Sequence, residues 1–249
     1  MILHVPHRSP SRAAAGAFRP RAVIGARELP AHATPGTGRL TTRRRVRRVL
    51  DVVLAVLIFV AMAPLMALVA ADVVCTSPGP VIFKQVRLGR YGQPFVMYKF
   101  RTMYVDSDDR LHRDYIRRLL EEPAASTCDS EGLYKLVDDP RITPAGRLLR
   151  TLSLDELPQL FNVFRGDMSL VGPRPVLPWE AELFSRDHDK RFLVRPGLTG
   201  LWQISGRNRL TMTQALDLDV RYVDEQSLRL DLAILLRTIP VVLGRRGAR

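Results

Sequence analysis

VLDVVLAVLIFVAMAPLMALVAADVV, residues 49–74, is the stretch that decides how this chain is organised. From Val52 to Ala71 it holds no charged residue and a single proline, Pro64. A run of 20 residues is long enough to cross a hydrocarbon layer of roughly 30 Å as a helix. A core helix of a soluble domain shows one apolar stripe, whereas this segment is apolar all round. Two arrangements remain open, a simple span and a helix that enters the bilayer and returns. Pro64 lies near the middle, where it removes a backbone hydrogen bond and kinks a helix. Both flanks are basic, with Arg43, Arg44, Arg45, Arg47 and Arg48 before the segment and Lys84, Arg87 and Arg90 after it. Basic flanks favour the cytoplasmic side. A span would expel one flank, whereas a re-entrant helix keeps both inside. The reading favours a re-entrant helix over residues 46–76, broken at Pro64.

Upstream lies a strongly basic tail. The chain has 249 residues and a net charge of +13, yet residues 1–48 alone carry eleven Arg against one acid, Glu28. The excess is therefore local, and the rest is not a general nucleic-acid binder. Residues 1–45 are rich in Arg, Ala, Pro and Gly, have no sustained apolar period, and read as a disordered tail. Either a solvated leader or attraction to anionic lipid accounts for it; near such a surface each basic residue contributes about 1 kcal/mol. No apolar run near residue 1 suggests a secretory signal. Cys75 and Cys128 lie far apart in no metal-ligand pattern, which fits reduced thiols in the cytosol.

Downstream, residues 77–249 read as a membrane-associated catalytic domain. The expected fold class is α+β and mostly helical, with one small β-hairpin. Ser77-Pro78-Gly79-Pro80 ends the membrane segment. Val81–Val86 and Pro94–Phe100 are β-prone runs joined through LGRYGQ. Ser107–Glu122 has a helical apolar period through Leu111, Tyr115, Ile116, Leu119 and Leu120, and 123–132 reads as a loop. A turn at 138–143 precedes a short helix ending near Arg150. Val176–His188 reads as a helix, and 195–207 as a Gly-rich loop exposing Trp202. Met212–Asp224 and Leu228–Leu243 read as further helices, the last lying in the core or against the membrane.

The chemistry concentrates in LDELPQLFNVFRGDMSLVGPRP, residues 154–175. Asp155 and Glu156 stand just before an apolar helix. A Ser153–Glu156 capping box would place Pro158 inside that helix, so an Asp155 N-cap with Pro158 in the first turn is preferred. Such a pair can serve only as a cap, or it can supply a nucleophile and a metal ligand for phosphorus chemistry. Carboxylate attack on an anionic diphosphate requires neutralised charge, which Mg²⁺ and arginines provide. Arg141, Arg147, Arg150, Arg174 and Arg207 sit in or near Gly/Pro-punctuated segments, and Arg174 is held between two prolines. Lys99 and Arg101 alternate with aromatics, as on a surface strand or as a wall of the site. His4, His7, His32, His112 and His188 make no metal spacing. No P-loop or GxGxxG is present.

Several of these motifs carry a resemblance: RRVLD at 47–51, SPGPVIFKQVRLGRYGQPFVMYKFRTM at 77–103, DDPRITPAGRLLRTLSLDELPQLFNVFRGDMSLVGPRP at 138–175, PGLTGLWQISGRN at 196–208 and SLRLDLAILLRT at 227–238. Over about residues 45–247 the chain resembles the bacterial sugar transferases that are monotopic polyprenyl-phosphate phosphoglycosyl transferases. The resemblance implies transfer of a sugar 1-phosphate from a UDP-sugar to undecaprenyl phosphate, with release of UMP, at the start of exopolysaccharide, capsule or O-antigen assembly. It implies a bacterial cytoplasmic-membrane enzyme whose catalytic domain faces the cytoplasm. It also implies Mg²⁺, a covalent phosphosugar on Asp155 and a supporting Glu156, both carboxylates near the metal. Lys99, Arg150, Arg174, Arg207 and Asp231 are the candidate substrate and phosphate contacts. The family's Ser-Pro break is Ala63-Pro64 here. The expected partners are donor, lipid acceptor and bilayer, with no nucleic acid and with room for an oligomer. A lipid-tethered scaffold, in which the acid pair is only a cap, is the competing class.

Overall fold

A computed structural model describes residues 38–105, 113–117, 139–206 and 210–244. Helix α1 spans Gly38–Thr76. It starts upstream of the expected position 46, so the Arg-rich run 43–48 is helical and not part of a disordered tail. Pro64 lies inside α1, which is assigned as one helix through it, so the break expected there is not confirmed. The residues before 38 lie outside the described residues. Val53, Leu57, Val60 and Leu68 are among many large apolar side chains of α1 that stay on the surface, as a lipid-facing helix requires.

Strands β1 (Ile82–Leu88) and β2 (Pro94–Phe100) form the expected antiparallel hairpin, with Ile82 opposite Phe100 and Leu88 opposite Pro94. A 3-10 turn at Arg90–Gly92 joins them. Residues 113–117 are helical, and Ile116 is buried in a core cluster with Leu88 and Phe184; the rest of the expected 107–122 helix, and the 123–132 loop, lie outside the described residues.

Helix α2 (Pro144–Thr151) begins with proline and is capped by Thr143, whose hydroxyl accepts from the Gly146 N–H at 2.9 Å. A 3-10 turn at Leu154–Glu156 then leads into α3 (Gln159–Arg165), whose N-cap is Pro158. Neither sequence-based cap forms: Asp155 caps no α-helix, and Ser153 makes no side-chain cap bond. Proline supplies a helical φ without an N–H, so the chain turns twice before the helix proper. Gly166 ends α3 in the left-handed region at φ 94°, where glycine is favoured.

Strands β3 (Ser169–Val171) and β4 (Gly197–Thr199) pair in parallel, a contact the sequence reading lacks. The expected 176–188 helix is only α4 (Pro178–Glu182), followed by a 3-10 stretch at Arg186–Leu193. The expected 195–207 loop instead contains β4 and α5 (Leu201–Ile204), and Trp202 is buried rather than exposed. Helices α6 (Met212–Glu225) and α7 (Leu228–Leu243) follow as expected, with caps from Thr211 and Ser227.

Helix α1 is built into this body at both ends. In its first half Ala55 packs with Leu160, Val163, Met168, Leu170, Tyr222 and Ile234. Further along, Val69 and Val73 pack with Phe100 and Leu149, against which Leu154 and Leu157 also lie. Polar contacts reinforce the join. The buried Asp51 carboxylate accepts from the Ser169 hydroxyl at 2.7 Å and the Leu170 N–H at 3.0 Å. Arg48 donates to the carbonyls of Val163 and Phe164 at 2.6 and 2.8 Å. At the far end Arg101 donates to the Ser77 and Pro78 carbonyls at 2.6 and 2.7 Å.

Candidate active site

Four elements bring the charged residues together. Strand β2 supplies Lys99, the end of α2 supplies Arg150, the 3-10 turn supplies Asp155 and Glu156, and the segment after β3 supplies Arg174. The first three pack through a neighbour in sequence. Phe100, Leu149, Leu154 and Leu157 all belong to the cluster that holds Val69 and Val73 of α1. The acid pair, Lys99 and Arg150 therefore sit against α1.

Glu156 is the geometric centre. Its Oε1 accepts from Lys99 Nζ at 3.0 Å and from Arg174 Nη1 at 3.3 Å. Asp155 is buried beside it. Burial lowers the Lys99 ammonium below its ordinary value, against the attraction of Glu156 and then Asp155. Burial likewise lowers Arg150, whose charge is held up by Asp155 and Asp139. Removing cations from water weakens their hydration, so their charge is available to an incoming anion. Arg141 is fixed on Asp139 by a forked contact, Nε at 2.8 Å to Oδ1 and Nη2 at 2.7 Å to Oδ2. That hydrogen bonding holds the Asp139 carboxyl below its usual range.

Of the sequence candidates, Lys99, Arg150, Asp155, Glu156 and Arg174 converge. Arg147 is exposed on α2, and Arg207 lies outside the described residues. Asp231 stands in a different setting. It meets Arg47 Nε at 3.1 Å and accepts from the Tyr222 hydroxyl at 2.8 Å, at the start of α7. There burial raises its carboxyl, with Arg47 opposing. His188 joins Ser185 and Asp217.

Asn162 is a positioning residue that the sequence reading missed. Fully buried, it accepts from the Tyr98 N–H at 3.1 Å and donates to the Val96 carbonyl at 2.7 Å. It thereby ties α3 to β2, the strand that carries Lys99. An amide inside the apolar run LPQLFNVF was its visible signal.

Among the described residues no group of three or more Asp, Glu, His or Cys gathers as a metal cage. Two adjacent carboxylates still suit Mg²⁺, which commonly takes one or two carboxylates and completes its shell with water and substrate phosphates. The arrangement can thus hold a metal-bound diphosphate, with Lys99, Arg150 and Arg174 around its charge and Asp155 beside phosphorus.

Comparison with known proteins identifies the family. Residues 42–245 match the family described as bacterial sugar transferase. The chain is 42% identical over 205 residues to an undecaprenyl-phosphate galactose phosphotransferase of Salmonella typhimurium, covering 82% of this chain but 42% of that protein. It is 44% identical over 202 residues to the exopolysaccharide production protein ExoY of Sinorhizobium fredii, covering 81% and 87%. A UDP-glucose:undecaprenyl-phosphate glucose-1-phosphate transferase of Caulobacter vibrioides is 40% identical over 210 residues, covering 81% and 71%. With most of its length matched, and with the acid pair and its arginines inside that match, this chain belongs to the bacterial sugar transferase family.

Proposed function

We propose that this protein transfers a sugar 1-phosphate from a UDP-sugar to undecaprenyl phosphate, releasing UMP, in the first membrane step of a surface polysaccharide. The observation that carries the reading is the acid pair, Asp155 buried and Glu156 half-buried, set among Lys99, Arg150 and Arg174 beside α1. An Asp155 oxygen attacks the β-phosphorus of the donor. The bond from that phosphorus to the bridging oxygen breaks, and UMP leaves with the electron pair. An oxygen of the acceptor phosphate then attacks the same phosphorus and expels the Asp155 carboxylate, completing the transfer. Lys99, Arg150 and Arg174 spread the charge that builds on the phosphoryl oxygens. Mg²⁺, held by Asp155 and Glu156, would supply Lewis-acid neutralisation of the diphosphate. Glu156 keeps Lys99 and Arg174 spaced for that anion.

The membrane reading follows from the two ends of α1. Arg47 and Arg48 grip the α3, β3 and α7 side of the body, and Arg101 grips the other end of the helix. Asn162 joins the two sides. A span would place one gripped end across about 30 Å of hydrocarbon from the other. A helix bent at Pro64 that returns to the cytoplasmic face keeps one polar body in water. Exposed Phe161 and Phe164 on α3 and Leu232, Leu236 and Ile239 on α7 then have lipid to meet. The acceptor phosphate arrives from that face.

The test is UMP release by purified protein with Mg²⁺, undecaprenyl phosphate and a donor panel including UDP-galactose and UDP-glucose. Release with one donor, lost in Asp155→Asn, is the expected result. Undiminished release by Asp155→Asn overturns the assignment of the nucleophile.

A further inference from the structure

Arg174 owes its position to a buried ion pair outside the site. Arg191 Nη2 donates to the Arg174 carbonyl at 2.7 Å and to Asp219 Oδ2 at 2.7 Å. The Arg191 and Asp219 side chains are 1% and 2% exposed. Arg191 also lies against the rings of Phe184 and Phe192, 5.2 and 5.9 Å from their centroids. Burial pushes the Asp219 carboxyl up to about 7, with Arg191 opposing first and the Arg174 backbone N–H next. The Arg174 carbonyl is thus held by this pair. The pair is not fully satisfied, for Arg191 Nη1 and Asp219 Oδ1 are buried without a hydrogen-bond partner.

Buried pairs of this kind rarely add net stability over apolar residues of equal size. The surroundings would accept apolar residues, since Phe184, Phe192, Ala215 and Leu216 belong to the same core cluster. What an apolar pair cannot do is orient a peptide. Pro173 and Pro175 constrain the chain around Arg174, but they donate nothing to its carbonyl and accept nothing from its N–H. Arg191, held in turn by Asp219, supplies the donor to that carbonyl.

We propose that Arg191 and Asp219 form a clamp that sets the Arg174 peptide and so aims its guanidinium at Glu156 and at the donor phosphate. They are positioning residues; neither touches the reacting atoms. The catalytic part of this inference rests on the phosphoglycosyl transfer proposed above, whereas the clamp itself does not.

The experiment uses full-length protein in lipid nanodiscs and two variants, Asp219→Asn and the double variant Arg191→Met with Asp219→Leu. The double variant replaces the pair by apolar volume, so it folds even where the single variant fails. Hydrogen exchange reads the Arg174 amide, the one amide between Pro173 and Pro175. Kinetics read kcat and KM for the donor. The expected result is a folded double variant whose Arg174 amide exchanges about tenfold or more faster, with kcat lowered about 10–100-fold and KM changed far less. A folded double variant with wild-type exchange at Arg174 overturns the clamp. Faster exchange with wild-type kcat overturns its catalytic role. Absence of UMP release from the wild type would count against the proposed activity, while the exchange measurement would still decide the clamp.

Discussion

Arg101 closes the C-terminal end of the membrane helix, and Arg101→Met should loosen it. The guanidinium is buried and donates to the Ser77 carbonyl at 2.6 Å, the Pro78 carbonyl at 2.7 Å and the Ser77 hydroxyl at 2.9 Å. Helix ends leave their last carbonyls without intrahelical partners; Arg101 reaches one of these, Val73, at 3.4 Å, and holds the two carbonyls that follow the helix. Methionine keeps much of the aliphatic volume but donates nothing. Hydrogen bonds to charged groups contribute about 1.5–3 kcal/mol each, so two carbonyls losing a charged donor lose about 3–6 kcal/mol together. For a domain of this size that corresponds to a fall in Tm of roughly 6–24 °C. Thermal unfolding in nanodiscs measures the fall. Arg101→Lys should land between, because an ammonium retains the charge but not the fork. Cys75, exposed and two residues before Ser77, gives a local readout. In a Cys128→Ser background its maleimide labelling from the cytoplasmic side should speed up in Arg101→Met. A Tm within about 2 °C of wild type, with unchanged labelling, would refute the idea that this arginine holds the helix end.

Other perturbations test other parts of the account. A Cβ on Gly172 would come within 2.5 Å of the Arg195 carbonyl oxygen and 2.8 Å of the Gly197 nitrogen. Gly172→Ala should therefore part β3 from β4, cost about 1–3 kcal/mol and lower kcat, since Arg174 follows two residues later; calorimetry and UMP release check both. Arg174→Lys should reduce kcat about 10–100-fold with the protein still folded, because one phosphate donor loses its geometry. Asp139 is held below its ordinary value of 3.8 chiefly by hydrogen bonds from Arg141. That contribution to stability is present above pH 3.8 and is lost as pH falls through the lower folded value. The Tm gap between wild type and Asp139→Asn should accordingly be full at neutral pH and close under acid. Chelation with EDTA should stop UMP release, and added Mg²⁺ should restore it.

The parts of the fold that could be read from sequence have strong local causes. Twenty uncharged residues announce the membrane helix, alternating β-prone runs around LGRYGQ announce the hairpin, and Thr211 and Ser227 mark α6 and α7 with capping side chains. What escaped depends on tertiary contact. β3 and β4 have three residues each, too few for a period, and they exist because Gly172 and Gly197 allow two backbones to touch. Trp202 looked like a loop residue because its segment is rich in glycine, yet the core cluster around Met212 and Leu216 covers it. Pro158 was placed in a first turn, and it became the cap itself because the 3-10 turn at Asp155 comes first.

The candidate site divides in the same way. Asp155, Glu156 and Arg174 stood out by spacing alone, while the choice of Lys99 over Arg101 as the partner of Glu156 needed the pleat of β2. Asp231 matched a motif yet is engaged by Arg47 and Tyr222. The buried Arg191–Asp219 pair had a readable clue on one side. Asp219 falls on the α6 face that buries Ala215, Leu216 and Tyr222, at helical spacings of four and three residues. Arg191 offered none, because a basic residue in RDHDKRFL resembles its solvated neighbours.

In the proposed mechanism phosphorus passes through Asp155. Intact-protein mass spectrometry after mixing purified protein with its UDP-sugar and Mg²⁺, in the absence of undecaprenyl phosphate, tests it most directly. The expected result is one equivalent of UMP and a protein heavier by one sugar phosphate, an adduct discharged by adding the lipid acceptor and missing from Asp155→Asn. UMP released only when the acceptor is present, with no adduct at any time, would contradict it.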